Sequence, residues 1–394
     1  MVSQFCQIIK IHKFAIEKNQ LTNNYMKRVL LSIMALTIAI VMCHAERNVS
    51  TEPEYKNVLI EEFTGISCGY CPQAHKIVAD LIKVQPENVF AIAVHAGQFA
   101  VPHSDEPDFR TSEGSEINDY FAISGYPAGM VNRQRVDGRM TISRYSWASF
   151  SRQLIEELAP VNLWMKSTYD NATRTLTIDV EGYYTADVDA QSNYLNVVLT
   201  QNNIMGPQKG AGMGSEYMHQ HMARVYLTST WGDEITSCKK GDFFSKQYVY
   251  TLPSDIKDVE VNPAEIEVVV FVTEDKENVL NVTGGHPELV GMTLPLAAEI
   301  AQPLIPMNGT WGYDYFEFDF INKSSEAITS ATFNVTFNSV DYTIDWTGHV
   351  DPRTTATIRL PFDVAGLSKA TNNKYVIKAT ALNGTEFTSN KLAD

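Results

Sequence analysis

Alternation between apolar and polar residues is the feature that most limits the fold of this chain. From Pro160 onward, helical periodicity disappears and short alternating runs are separated by turn residues; the clearest are "TRTLTIDVEGYY", "YLNVVLTQ", "KQYVYTL" and "EIEVVVFVTE". Successive side chains of a strand point to opposite faces of a sheet, so this pattern is typical of antiparallel strands with one buried face. We therefore predict a β-rich domain of sandwich type over residues 160–296.

A second set of alternating runs follows residues 297–309, which resemble a linker. These runs are "YFEFDFIN", "ATFNVTFNSV", "YTIDWTG", "TATIRLPF" and "KYVIKATAL". Their number and total length suit one immunoglobulin-like β-sandwich over residues 310–394.

The region before Pro160 mixes the two periodicities. "NVLIEEF" indicates a short strand, "PQAHKIVADLIKV" has apolar residues at helical spacing, and "VFAIAVHA" is a continuous apolar run typical of a buried strand. A polar insertion, residues 97–118, precedes the turn and strand of "SGYPAGMVNR"; residues 143–158 predict an amphipathic helix capped by Ser143. This order predicts an α/β domain over residues 46–159, so the fold class is α/β plus all-β.

The N-terminal segment predicts export. Met26-Lys27-Arg28 is followed by the apolar run "VLLSIMALTIAIVM", and Cys43 and Ala45 would occupy the −3 and −1 positions of a cleavage site after Ala45. A basic start, an apolar run and a small-x-small end describe a secretory signal peptide, so residues 1–45 are assigned to an upstream segment and this signal. The alternative is a membrane anchor, for which the run is short. Whether residues 1–25 are translated stays open.

The charge of the chain argues against a nucleic-acid partner. The formal net charge is −15, and residues 1–45 hold five basic residues and one acidic residue, so the exported chain would carry −19. A protein this acidic repels the phosphate backbone.

Cysteine usage is sparse and uneven. Without residues 1–45, only Cys68, Cys71 and Cys238 remain. One close pair and one single cysteine do not make a disulfide scaffold, and Cys238 is most simply a lone or buried thiol.

The pair in "CGYC" is compatible with three kinds of site. A zinc site needs four ligands, usually in two close pairs, and the sequence has no second Cys-x-x-Cys. A redox pair is favoured by a strand that ends near Phe63 and a helix that starts near Cys68, because a helix N-terminus stabilises the attacking thiolate. On that interpretation, Cys68 is an exposed nucleophile and Cys71 the buried resolving thiol. The third interpretation is a structural staple.

Four weaker features have ordinary explanations. His219 and His221 would share one face of a strand, where a structural or surface pair is favoured over a metal site. Residues 206–214, "GPQKGAGMG", lack the Lys and Ser/Thr of a phosphate-binding loop and indicate a mobile hairpin loop. His75 is expected on a helix surface, and residues 103–108, "HSDEPD", in a solvated loop.

Two stretches together resemble a thioredoxin-fold domain: "EEFTGISCGYC" before a helix, and "YFAISGYPAGMV" later. In that family a proline preceded by a cis peptide bond follows a Gly-x pair, which here gives Pro127. The resemblance implies that substrate backbone lies beside Pro127, in contact with Tyr126, Gly69 and Tyr70. Considered alone, Pro127 is also consistent with an ordinary turn.

The same resemblance gives a role to Glu62. Thioredoxins carry a buried Asp six residues before the first cysteine, and Glu62 stands at that distance from Cys68. It would take the proton from Cys71 and complete a catalytic set of Cys68, Cys71 and Glu62. A solvated strand carboxylate is equally consistent with the residues.

Two narrower resemblances point to the bacterial envelope. The pattern "FT-x-x-x-CGYC" is similar to that of the periplasmic disulfide isomerase DsbC. "EEFTGxxCGYCP", "LTQNNIMGPQKG" and "YMHQHMARVYL", in this order behind a signal peptide, resemble the 28-kDa outer-membrane protein family of Bacteroidota. That family joins a thioredoxin-like domain to a β-rich domain and implies a location in the periplasm or outer membrane.

Two functions follow as hypotheses. The first is an exported thiol-disulfide oxidoreductase that acts on protein thiols or disulfides of the cell envelope through Cys68 and Cys71, with no cofactor and no metal. The alternative is a non-enzymatic outer-membrane or envelope protein that binds a surface partner, with the CGYC pair as a structural disulfide. The sequence leaves the redox direction, the substrate and the oligomeric state open.

Overall fold

The computed structural model describes residues 47–189, 192–304, 315–361 and 375–386. The signal peptide and its cleavage site, predicted at residues 1–45, lie outside the described residues. Within the described ranges, no helix has both the length and the apolar character that crossing a membrane requires.

The N-terminal region has three helices and three strands. They are β1 (Val58–Thr64), α1 (Cys71–Val84), β2 (Val89–His95), α2 (Ser112–Tyr120), β3 (Ala128–Val131) and α3 (Trp147–Ile155). Strand β1 is buried throughout and pairs in parallel with β2 and antiparallel with β3. Helix α1 has a proline in its first turn and buries Ala74 and Val78 against the sheet, as the helical spacing predicted.

The helix predicted over residues 143–158 differs at its start. Residues Arg144–Ser146 form a 3₁₀ turn and α3 begins only at Trp147, while the side chain of Ser143 makes no capping hydrogen bond. Trp147 is fully buried and donates its indole N–H to the carbonyl oxygen of Ile142. Burial of this large ring, rather than a polar cap, therefore fixes the beginning of the helix.

The region after Pro160 is β-rich, as predicted. Its strands are β4 (Val161–Asp170), β5 (Thr175–Tyr184), β6 (Asn193–Gln201), β7 (Ile204–Gly206), β8 (Tyr217–His219), β9 (Met222–Tyr226), β10 (Asp233–Ile235), β11 (Phe243–Thr251), β12 (Asp255–Ile256), β13 (Val259–Glu260), β14 (Ile266–Glu274), β15 (Glu277–Gly285) and β16 (Glu288–Val290). Strand β5 alternates buried and less buried residues along its length, as a half-buried strand should.

The two regions share one sheet. Its order is β15-β14-β6-β9-β2-β1-β3, with β10 also paired to β6, so the strands after Pro160 form one half of the sheet, the strands before it form the other, and the two halves meet at β9 and β2. A second sheet, β11-β5-β4-β16, packs on the β6 and β14 side through a core that includes Leu176, Ile178, Val197 and Val268. The change of pattern at residue 160 is therefore not a break in the sheet.

The C-terminal region is a β-sandwich. Its strands are β17 (Ala298–Leu304), β18 (Tyr315–Asn322), β19 (Ile328–Phe337), β20 (Val340–Val350), β21 (Thr355–Pro361), β22 (Tyr375–Leu382) and β23 (Thr385–Glu386). Sheets β17-β18-β21 and β20-β19-β22-β23 enclose a core that includes Phe318 and Phe333. Residues 298–304 were expected in a linker; that part of the expectation is wrong, because they pair with β18.

A buried ion pair lies in the shared sheet. Glu61 and Arg133 are 1% exposed each, and the guanidinium donates from Nε and Nη2 to the two carboxylate oxygens at 2.6 Å. The Arg133 guanidinium also lies over the ring of Phe271, 5.4 Å from its centroid. This arrangement links β1, the segment after β3, and β14.

Replacing Arg133 with Met should lower the free energy of unfolding by about 3–5 kcal/mol, because the Glu61 carboxylate would stay buried without its partner. The matched control is Arg135→Met, which removes the exposed pair with Glu277 and should cost far less. Urea unfolding followed by circular dichroism measures both. Equal losses in the two variants would contradict this account of the buried pair.

Candidate functional site

The CGYC motif lies at the start of α1. Strand β1 ends at Thr64, a loop follows, and Cys71 is the first residue of the helix. Cys68 and Cys71 form a disulfide with a Cα–Cα distance of 5.5 Å. The pairing of these two cysteines is therefore as predicted, although Cys68 lies in the loop, three residues before the helix.

Neither cysteine is open to solvent. Cys68 is 2% exposed and Cys71 is fully buried, whereas Tyr70 between them is 73% exposed. The expectation of an exposed Cys68 is wrong for this disulfide form. The reason is a segment of the β-rich region that crosses the motif.

This segment connects β7 to β8 and is called the roof here, residues 207–214. The Gln208 side chain donates to the carbonyl oxygens of Cys68, at 2.9 Å, and Gly65, at 3.2 Å. The backbone N–H of Lys209 donates to the carbonyl oxygen of Ile66 at 2.8 Å. Three backbone carbonyl groups of the CGYC loop thus accept hydrogen bonds from the roof, although that loop lies about 140 residues earlier in the chain.

Glycine is required where the roof comes nearest to the motif. Gly210 has φ +85°, and a Cβ atom built on it would lie 2.1 Å from the Gly69 carbonyl oxygen. No side chain fits at that distance, and an L-residue is strained at that φ. The loop expected to be mobile is, at its Gly210 end, in close contact with the motif.

Pro127 is placed beside the motif by strand register. Ala128 of β3 is opposite Phe63 of β1, so Pro127 stands next to the end of β1 where the CGYC loop begins. The peptide bond between Tyr126 and Pro127 is cis, as predicted. The Tyr126 hydroxyl donates to the side-chain oxygen of Asn118, and its ring contacts Phe99.

Glu62 is buried beneath the motif. It is 2% exposed, its Oε1 has no hydrogen-bond partner among the described residues, and His75 Nε2 lies 3.6 Å away. Burial raises the pKa of the Glu62 carboxyl well above its usual value, because removal from water disfavours the carboxylate. The alternative of a solvated strand carboxylate is therefore wrong.

Four histidines line a cavity of about 290 Å³ between α1, β2 and β8, and the rings of His75, His95 and His219 lie close together there. His75 is held between the Thr64 hydroxyl, 2.8 Å from Nε2, and the Tyr217 hydroxyl, 2.7 Å from Nδ1. The ring centroids of His95 and His219 are 5.3 Å apart. His75 is thus enclosed between elements rather than lying on an open helix surface as expected.

Burial keeps these imidazoles uncharged. It lowers the pKa of His75 to about 3 and of His219 to about 4, and the pKa of His95 lies well below its usual value. Within the described ranges, no group of three or more His, Cys, Asp or Glu side chains is arranged to hold a metal ion.

His219 and His221 do not form the pair that strand periodicity predicted. His219 ends β8 and is buried, whereas His221 follows the strand with φ +51° and pairs with Glu267, Nδ1 to Oε2, at 3.0 Å. The turn breaks the alternation, so the two side chains make different contacts although both line the same cavity. Cys238 is buried, and its thiol donates to the carbonyl oxygen of Ile235.

Two site residues, Gln208 and Tyr217, were not found from the sequence. The first bonds to the CGYC loop and the second to His75. Neither belongs to a motif with its own chemistry. Both lie in stretches that carry the resemblance to the outer-membrane protein family, "LTQNNIMGPQKG" and "YMHQHMARVYL", but that resemblance assigned no role to either residue.

The comparisons with known proteins agree with an envelope protein. Residues 115–288 match the model of the family described as "Outer membrane protein Omp28". No curated protein matches the chain. The match supports the resemblance to the Omp28 family and confirms the expected location of an exported protein, in the periplasm or outer membrane. The roof lies within the matched residues, while the CGYC motif precedes them.

Two proteins of solved structure are similar to this chain at low sequence identity. HBP35 of Porphyromonas gingivalis is 18% identical, with a TM-score of 0.50 over 79% of this chain and 99% of that chain. At this identity the likeness concerns the fold alone. A domain of the outer membrane lipoprotein Omp28 from the same organism is 16% identical, with a TM-score of 0.25 over 34% of this chain and 92% of that chain. The resemblance to DsbC remains a prediction based on the motif.

Acidification should destabilise the protein through His219. Between pH 6.5 and about 4 the unfolded chain binds a proton on this residue that the folded protein does not, so the free energy of unfolding falls as the pH falls. The full effect of a shift of this size is on the order of 3 kcal/mol.

His219→Gln should therefore make the pH profile of stability less steep between pH 6.5 and 4, measured by urea unfolding at several pH values; His75 and His95, whose pKa values burial also lowers, keep the rest of the slope. Gln keeps a donor for the Pro207 carbonyl oxygen that the imidazole contacts. Glu62 acts with the opposite sign, but it is present in both proteins and does not alter their difference. His103→Gln, in an exposed loop, is the control. Superimposable profiles for wild type and His219→Gln would refute the assignment.

Proposed function

We propose that this chain is a non-enzymatic protein of the bacterial cell envelope, in which the Cys68–Cys71 disulfide is structural and the β regions bind a surface partner. The observation that carries the proposal is the burial of both cysteines beneath the roof. The family match to outer-membrane proteins supports the same conclusion.

Thiol-disulfide exchange requires that a thiolate reach a sulfur atom of the disulfide. With Cys68 2% exposed and Cys71 at 0%, the closed structure offers no such approach. The bridge instead shapes the loop whose carbonyl groups accept hydrogen bonds from Gln208 and Lys209. Its role in this proposal is to present that loop to the β-rich region.

Exposed apolar side chains on the β7–β8 hairpin favour binding of a partner there. Met205 and Met218 are opposite each other in the ladder and are 62% and 39% exposed, and Met213 in the roof is 52% exposed. Methionine adapts its shape to apolar surfaces and is common where proteins bind one another. Tyr70, adjacent to the disulfide, adds a fourth exposed apolar group.

The second candidate is a thioredoxin-like thiol-disulfide oxidoreductase. It is favoured by the strand β1, CGYC loop and helix α1 arrangement, by Pro127 at the end of β1, and by the buried carboxyl of Glu62. In that function Cys68 would attack a substrate disulfide, Cys71 would resolve the mixed disulfide, and Glu62 would exchange a proton with Cys71. Gly69, Tyr70, Tyr126 and Pro127 would contact the substrate protein.

The variant Cys71→Ala separates the two functions. A structural bridge predicts no specific mixed disulfides between this variant and other envelope proteins, assayed on non-reducing gels after acid quenching of cells. An oxidoreductase predicts trapped complexes that reductant removes and that are absent from Cys68→Ala/Cys71→Ala, because attack needs only Cys68 and release needs Cys71. Specific trapped partners would overturn the proposal in favour of the second candidate.

The double variant also tests the bridge itself. A disulfide closing so short a loop should contribute only about 2 kcal/mol through the entropy of the unfolded chain. Cys68→Ala/Cys71→Ala should therefore remain folded, with a modest loss of unfolding free energy in urea. Cys238→Ala is the control for removing a buried thiol. A double variant as stable as wild type would contradict a structural role.

A further inference from the structure

We propose that the roof is a lid that sets how fast a thiol can reach the Cys68–Cys71 disulfide. This proposal extends the proposed function. It rests on that function in one respect, namely that the Cys68–Cys71 bridge persists in the folded protein. It assigns a role to residues 207–214, for which the sequence predicted only a mobile loop.

Few contacts keep the lid closed. Its bonds to the motif are those of the Gln208 side chain and the Lys209 N–H, followed by the close approach of Gly210 to Gly69. Beyond Gly210 the roof contains Gly212 and Gly214, both at positive φ and both with open space around them. The tip can therefore move without disturbing packed side chains.

The roof itself carries little buried apolar surface. Within the roof, Gln208 is the buried side chain at 3%, and Met213 near the tip is already exposed. The hairpin base is held separately, by the three-residue ladder of β7 and β8 and by the Tyr217 hydroxyl on His75. Water can replace the hydrogen bonds of Gln208 and Lys209 when the lid lifts, so the cost of opening is small.

The reaction that the lid controls is reduction by an external dithiol. A thiolate of the dithiol attacks one protein sulfur, the S–S bond breaks, and the other cysteine leaves as a thiolate that takes a proton. The second thiol of the reagent then displaces the protein sulfur. The reagent becomes a cyclic disulfide, and the protein gains two thiols. Both steps need the sulfur atoms uncovered, so lid opening precedes them.

Gly210→Ala tests the lid, with Gly212→Ala as its matched control. Both glycines have positive φ, +85° and +74°, so both substitutions strain the backbone in the same way. Only at position 210 does the added Cβ meet the motif, 2.1 Å from the Gly69 carbonyl oxygen; at position 212 it meets nothing within 4 Å. The difference between the two variants isolates the contact.

The measurement is the rate of reduction of the folded full chain by dithiothreitol, followed by alkylation and mass spectrometry, beside the rate of global unfolding. Gly210→Ala should be reduced about tenfold faster than Gly212→Ala, as expected for losing contacts worth about one or two hydrogen bonds. Gln208→Ala, which keeps the backbone unchanged, should show a similar acceleration. If Gly210→Ala fails to fold, Gln208→Ala against wild type decides the question.

Equal reduction rates in wild type, Gly210→Ala and Gln208→Ala would overturn the lid. A reduction rate equal to the rate of global unfolding in every protein would also overturn the lid. The dithiol would then react only with the unfolded chain, and no local opening of the roof would be involved. The trapping experiment with Cys71→Ala reads out partners rather than rates. Failure of the lid and failure of the proposed function are therefore distinguishable.

Discussion

The pairing of β2 with β9 is the contact on which the rest of this architecture depends. The two strands meet at Ala93 and Met222, and the Ala93 N–H donates to the His221 carbonyl oxygen at 2.8 Å. This short parallel contact joins the sheet of the N-terminal region to the sheet of the β-rich region. Strand β9 directly follows the β7–β8 hairpin, so the same contact brings the roof to the CGYC loop.

Joining the sheets also buries polar groups that the separate regions would leave in water. Glu62 and His95 come from the N-terminal region, whereas His219 and Tyr217 come from the hairpin that closes over them. Removed from solvent, the imidazoles and the carboxyl keep their neutral forms, because burial disfavours the charged form of each group. Glu61, also buried, instead accepts two hydrogen bonds from Arg133. The junction is thus polar but nearly uncharged beside the disulfide.

Local features of the sequence were sufficient for much of the fold. Alternation identified the long strand β5, and helical spacing identified α1, because one buried face determines both patterns. Strand β17 was missed, since "AEIAQPL" contains a proline and little alternation. The position of Pro127 beside the motif followed from a family resemblance, and the register of β3 on β1 agrees with it.

The cover over the cysteines could not be predicted, because it depends on contacts between distant segments. Cys68 and Gln208 are 140 residues apart, and neither residue type predicts that the two will be in contact. A Cys-x-x-Cys motif at the start of a helix predicts an exposed nucleophile only if no other segment of the chain packs on the motif. Gly210 is a local indication of this contact, but the need for glycine there is evident only when Gly69 is known to lie opposite it.

This dependence explains why the motif alone does not decide the function. The same strand, loop and helix can present a disulfide to a substrate or hold it under another part of the chain, since function resides in the accessible site rather than in the fold. Here the covering segment lies within the residues that match the outer-membrane family, while the motif lies before them. The β-rich region thus covers the cysteines through Gln208 and Gly210, and in the lid that we propose, how firmly these two residues stay in place decides whether another thiol can reach the disulfide.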